Sequence, residues 1–146
     1  MFTLIQRPKI IQPGNLSGRS LANAKIVKAD TVLIKVRVGG DTTGATVNFT
    51  GRLFTDPLKS VVIQKSSATA SEIQVDVVSP GLYSDITIHL ASSDTASLDP
   101  NTQIEYDFQL TDDISYGGSS GAEVTISGAT STLEIGRFSI IDQITI

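Results

Sequence analysis

The chain has 146 residues, of which 40% are hydrophobic and 18% charged, with 11 basic residues against 15 acidic ones and a net charge of −4. That is enough chain for one domain with a buried core, and too apolar a chain to stay disordered. The acidic balance and the lack of any basic run weigh against nucleic acid or an anionic membrane as partner, and the absence of cysteine removes disulfides, thiolate metal sites and thiol catalysis.

A low charge content with abundant Thr, Ser, Val and Ile favours β structure over helix. The opening MFTLIQRPKIIQPGN carries no secretory h-region, and no apolar run reaches the ~20 residues of a membrane span. Synthesis in a cytoplasm is the expectation.

Residues 1–22 differ from the rest. Phe2, Leu4 and Ile5, then Ile10 and Ile11, come in bursts broken by Pro8 and Pro13, and NLSGRS has loop composition. Two readings stand side by side: an extended N-terminal arm whose apolar residues need a neighbour, or an edge strand packed on its own domain. In the arm reading, residues 23–146 form the domain.

A short strand is expected at Lys25–Lys28. A clear one follows at Thr31–Val38, with Val32, Ile34, Val36 and Val38 on one face and Lys35 and Arg37 on the other. In TTGATVNFTGRLF, Val47, Phe49, Gly51 and Leu53 share a side, and Asp56-Pro57 turns the chain. Ser60–Lys65 reads as a strand and Ser66–Ser71 as a polar loop.

Glu72–Val78 alternates with Ile73, Val75 and Val77 inward. It pairs in a predicted hairpin, across Ser79-Pro80-Gly81, with a strand that places Ile86, Ile88 and Leu90 inward. SSDTASL, near 92–98, is the one helical signal, with Ser92, Ser93 or Asp94 able to cap it and Leu98 to anchor it. QIEYDFQLTDD then puts Ile104, Tyr106, Phe108 and Leu110 on one face, which predicts a central strand.

Gly117–Gly121 is a flexible tip, and Ala122–Ile126 and Thr132–Ile140 read as the last core strands. The inward phase shifts between Ile135 and Phe138, which predicts a bulge or kink around Gly136. Ile144 and Ile146 form a second apolar end. Seven to nine short strands at regular spacing predict an all-β, Greek-key sandwich.

Chemistry does not rise from the residues. His89, the only histidine, sits on an outward strand face without an oriented partner in its sequence context. Glu105, Asp107, Asp112 and Asp113 lack the spacing of a calcium loop. The outward carboxylates Glu72, Asp76, Asp85, Glu105 and Asp107 come with no Trp to form a sugar platform. The GGSSG segment lacks the ending of a phosphate loop, and the letters of two glycosylation sequons, at Asn15 and Asn48, read as chance. Neither cofactor nor metal is expected.

The order of pieces carries a resemblance. Asp30-Thr-Val-Leu-Ile-Lys-Val-Arg-Val, then Thr43-Gly-Ala-Thr-Val-Asn-Phe, then the short turn from His89 to Leu98, Tyr106-Asp-Phe-Gln-Leu-Thr-Asp112 and the closing Leu133-Glu-Ile-Gly-Arg-Phe-Ser-Ile resemble small immunoglobulin-like domains of tailed bacteriophages. The N-terminal domain of phage baseplate upper proteins is the best known of these. The likeness spans about residues 23–145. It departs from the family pattern at Pro100-Asn101, where Pro-Gly is usual, and leaves the first 22 residues without a counterpart.

The resemblance implies an immunoglobulin-like fold and a non-enzymatic virion structural protein. Such a protein would sit in the tail or baseplate, or decorate the capsid as a cement protein. Its partners would be other virion subunits and copies of itself, and its contacts would come from the apolar ends: Phe2, Leu4, Ile5, Ile10, Ile11, Ile144 and Ile146. A carbohydrate- or receptor-binding module on the same sandwich is the alternative.

Overall fold

The computed structural model describes residues 2–79, 82–118 and 121–142. Pro80 and Gly81 of the expected turn, Ser119 and Ser120 of the glycine-rich tip, and the apolar end residues Ile144 and Ile146 lie outside the described residues.

Nine strands are described: β1 (Thr3–Gln12), β2 (Lys25–Val27), β3 (Val32–Gly39), β4 (Thr46–Leu53), β5 (Val61–Ser66), β6 (Ile73–Ser79), β7 (Tyr83–Leu90), β8 (Gln103–Gly117) and β9 (Glu123–Ile141). They form two sheets, ordered β1-β3-β7-β6 and β2-β9-β8-β4-β5. All pairings are antiparallel except β2 with β9. In immunoglobulin lettering this is an A-B-E-D sheet facing a G-F-C sheet, with one strand added beside C and a short one beside G. The chain is an all-β sandwich, as its alternation predicts.

The strands form where every second residue is apolar, because only then can one face be buried while the other stays wet. Val32, Ile34, Val36 and Val38 of β3, Ile86, Ile88 and Leu90 of β7, and Ile104, Tyr106, Phe108 and Leu110 of β8 all lie in one core. β8 is central in its sheet. The β6–β7 hairpin forms as expected, but Val77, on the edge strand β6, is exposed.

The arm reading of residues 1–22 is corrected. β1 pairs with β3 along its length, and Ile10 and Leu21 are fully buried in the common core. Residues 2–22 are therefore not separable from the domain. Pro8 is tolerated because β1 lies at the edge of its sheet, where one row of backbone donors is free of the ladder. The chain then crosses from one sheet to the other through a 3-10 turn at Gly14–Leu16, a second helical element that the sequence pattern did not indicate.

The one α-turn among the described residues, α1 (Ser92–Thr95), starts from Ala91 rather than from a serine. The Asp94 carboxylate accepts the Ala91 N–H at 2.7 Å and pairs with Lys65 Nζ at 2.7 Å. The buried Thr95 hydroxyl accepts the Ala29 N–H at 2.9 Å, which ties α1 to the β2–β3 turn.

The expected kink at Gly136 is also corrected. Tyr106 faces Gly136 in regular register, and Ile104 faces Phe138. The bulges lie elsewhere: one where Phe108 and Gln109 face Glu134 and Thr132, leaving Leu133 as the extra residue, and one between Asp112 and Ile114. Gly136 is the inward residue at its position, and Ile135 points out, 64% exposed. The apparent phase shift arises because the inward slot holds a glycine.

That slot is filled from the neighbouring strand. A Cβ on Gly136 would lie 2.5 Å from the Tyr106 oxygen and 2.7 Å from its ring carbon Cζ. The ring stacks on Phe49 at 5.6 Å and meets Phe138 at 6.0 Å, so it is held on both sides.

Candidate functional site

The two sheets are held by pairs that follow an uneven charge distribution along the chain. Ten of the eleven Lys and Arg residues lie within residues 1–65; between Ser66 and Gly136 there is no Lys or Arg, and eleven of the fifteen carboxylates lie there. All five ion pairs found among the described residues join a cation of the first segment to a carboxylate of the second. Asp85 receives both Lys35 and Arg37, and Arg37 donates to it at 2.8 and 3.1 Å. The Arg37 hydrogen bonds hold the Asp85 carboxyl below its usual range. This pairing therefore adds stability above the ordinary carboxylate pKa, and it is lost as pH falls through the depressed value.

Arg7 on β1 grips Glu134 on β9 with two hydrogen bonds, at 2.9 and 2.8 Å, and so closes the sandwich across one open side. Beneath it the Tyr106 hydroxyl is buried without a hydrogen-bond partner. Burial first, and the Glu134 charge second, push its pKa up to about 12, with Arg7 opposing.

The sign of the pH effect follows. The folded state favours the neutral phenol, so the stability linked to Tyr106 is complete below the unfolded pKa of 10 and is lost as pH rises through 12. The expected loss is about 2–3 kcal/mol. Tyr106→Phe removes a buried, unpaired donor and is expected to raise stability at neutral pH by about 1 kcal/mol. It should also flatten the fall above pH 10. Chemical denaturation at pH 7 and pH 11 measures both effects; a variant less stable than the wild type at both pH values refutes this account.

These groups hold the fold together; of them Lys35 and Asp85 line, with Ile11, Gln74, Asp76 and Thr87, an open hollow of about 280 Å³ on the outer face of the first sheet. His89 lies on the outer face with Nδ1 3.1 Å from the Ser71 carbonyl oxygen. Asp107 is paired with Arg52, while Asp112 and Asp113 accept backbone N–H groups. Among the described residues, no group of three or more His, Cys, Asp or Glu is arranged to hold a metal ion.

The apolar N-terminal residues are divided by the fold. Ile10 belongs to the core and is not available to a neighbour; Phe2 and Leu4 are partly buried against that core, and Ile11 is partly buried. Only Ile5 stands out, 55% exposed.

The outstanding surface feature is one that alternation alone could not separate from the core. β8 and β9 run on as a two-stranded ribbon after their neighbours stop. β4 ends opposite Thr111, yet β8 continues to Gly117, paired Ile114 with Ile126, Ser115 with Thr125, Tyr116 with Val124 and Gly117 with Glu123. Six residues beyond Thr111 correspond to about 20 Å of strand. The expectation of a core strand at Ala122–Ile126 is therefore corrected: Glu123–Ile126 is strand, the start of β9, but it is not core.

The ribbon has two unlike faces. Ile114, Tyr116, Val124 and Ile126 share the side that continues the core-facing side of β8, and Tyr116, Val124 and Ile126 are 57, 44 and 48% exposed. Ser115 and Thr125 join hydroxyls at 2.9 Å on the other side, continuing a polar ladder from Gln109–Thr132 and Thr111–Thr130. The bulge between Asp112 and Ile114 marks where the ribbon leaves the sandwich. There Gly128 adopts φ +63° and donates its N–H to Asp113 Oδ1 at 2.9 Å.

The ribbon leaves from the end that carries the β3–β4 connection, since that connection enters β4 at Thr46, the partner of Thr111. Gly40 donates to the Leu82 carbonyl at this end, and Leu82 and Val78 are exposed there. An isolated two-stranded ribbon is marginal in water, and an apolar side on it gains by being covered. No protein-family model matches the chain, and no curated protein matches it.

Proposed function

We propose that the chain is a non-enzymatic structural protein of a tailed-bacteriophage particle, a component of the tail or baseplate or a decoration of the capsid, made in the host cytoplasm. Its function is to dock on neighbouring subunits during assembly. The observation that carries this reading is the β8–β9 ribbon, which presents Ile114, Tyr116, Val124 and Ile126 beyond the end of the sandwich. Covering such side chains completely is worth about 1.5–3 kcal/mol each, and a rigid sandwich holds them in one arrangement before contact. The order of sequence pieces from Asp30 to Ile140 supports the phage setting by resemblance.

In this reading the docking element moves from the chain ends to the ribbon, with Ile5 and the partly buried Phe2 and Leu4 at the same end of the sandwich. That placement follows from the pairing of Thr3 with Gly39. The test is to purify particles from the host culture by density gradient and probe them with an antibody to the chain. Co-sedimentation at a fixed copy number per particle is expected. Recovery only from the soluble host fraction would overturn the proposal.

A further inference from the structure

Among the described strands, β9 has the longest open edge. β2 pairs with it only at Ser139, Ile140 and Ile141, and the Asn23 N–H takes the Arg137 carbonyl. Over residues 123–136 no described strand pairs with the edge turned away from β8, and Arg7 reaches β9 there through the Glu134 side chain. In an antiparallel ladder, alternate residues turn their backbone groups away from the partner strand. Arg137, which faces Glu105, does so toward Asn23. By the same register Ile135, Thr130, Thr125 and Glu123, which face Asp107, Thr111, Ser115 and Gly117, turn theirs to the open edge. This row of donors and acceptors spans about 45 Å. Neither Pro nor Lys, the usual guards of such an edge, occurs within residues 123–136.

The edge is interrupted by two bulges. Leu133 is the extra residue at one, and Ser127-Gly128 together face the single Asp113 at the other. An ordinary strand laid along this edge would fall out of phase at each. A second β9 would not, if it ran antiparallel with Thr130 on the two-fold axis. Thr132-Leu133 of each copy then falls opposite Ser127-Gly128 of the other. Every residue with open backbone groups also meets another of its kind: Thr130 meets Thr130, Thr125 meets Ile135, and Glu123 meets Arg137. The last pair is opposite in charge, and both members lie on the outer face of the sheet. Neither Glu123 nor Arg137 has an ion-pair partner among the described residues. Any other register loses the match of the bulges.

We infer that the open edge of β9 binds the same edge of a second copy in this register, joining two five-stranded sheets into one. The contact is isologous and uses up both edges, so it closes at the dimer. It uses the edge of β9 and not the apolar side of the ribbon, and it therefore goes beyond the docking reading and stands or falls apart from it.

Sedimentation equilibrium of the full chain at rising concentration tests this. A dimer that does not extend further is expected. In the dimer the Thr125, Thr130 and Ile135 amides should be protected from hydrogen exchange, and in the dilute monomer they should exchange freely, as read by NMR. Glu123→Lys and Arg137→Glu, both at exposed positions, should each weaken the dimer by about tenfold or more, because each sets two like-charge pairs face to face. An equimolar mixture of the two should restore it, since both pairs are of opposite charge in the mixed dimer; a defect in folding would not be restored by mixing. A chain that stays monomeric at every concentration overturns the inference. So does a dimer in which the Thr130 and Ile135 amides stay unprotected, or one that neither charge reversal weakens.

Discussion

Gly136→Ala is expected to destabilise the domain by about 3 kcal/mol, at the upper end of what one added methyl costs in a filled core. The new Cβ would lie 2.5–2.9 Å from three atoms of the Tyr106 side chain. The ring has no room to retreat. Phe49 is stacked on one side and Phe138 tilts against it on the other, while Glu134, gripped by Arg7, is the next residue facing inward along β9. A movement of the ring must therefore be passed on to two further aromatic side chains. Thermal or urea denaturation of the single variant measures the cost. The double variant Gly136→Ala/Tyr106→Leu should recover part of it, because the clash is between those two positions. Strict additivity of the two changes would show that Gly136 is needed for some other reason.

The second large effect is expected on assembly, with stability left almost untouched. Replacing Tyr116, Val124 and Ile126 together by Ser removes most of the apolar side of the ribbon. These residues lie beyond the strands that cover the core, so the unfolding midpoint should shift by less than about 1 kcal/mol equivalent. Docking should fall by about 100-fold or more, because central apolar contacts dominate interface energies. Particle incorporation, read beside the denaturation midpoint, separates the two effects. A triple variant that incorporates at the wild-type level removes the ribbon from the function. One that unfolds early would instead mean that the ribbon packs on its own domain.

The fold was legible wherever a strand has one wet and one dry face. β3, β7 and β8 declare themselves through Val32–Val38, Ile86–Leu90 and Ile104–Leu110, and the central place of β8 follows from its aromatics. β1 was ambiguous because Pro8 and Pro13 break its pattern. Nothing local tells that Ile10 and Leu21 have a core to enter while Ile5 has none.

The candidate site was hidden for a different reason. Ile114, Tyr116, Val124 and Ile126 alternate like any buried strand, and whether such a strand is covered depends on where its neighbours end. That is a property of β4 and of the opposing sheet, and the local sequence of β8 and β9 does not carry it. Gly136 misled in the same way. An inward glycine resembles a break in phase until the tyrosine opposite it is known.

The separation of charge along the chain also governs how the protein is cut. With no Lys or Arg between Ser66 and Gly136, trypsin leaves that whole span attached to Arg137 as one fragment, whether the protein is folded or not. Tryptic peptides of ordinary size arise only from the first 65 residues and the last few, so particle proteomics based on trypsin would miss the ribbon altogether. Chymotrypsin reaches it directly at the exposed Tyr116. Under the proposed docking role, cleavage there in the free chain and its suppression in the particle would give a footprint of the ribbon that needs no substitution at all.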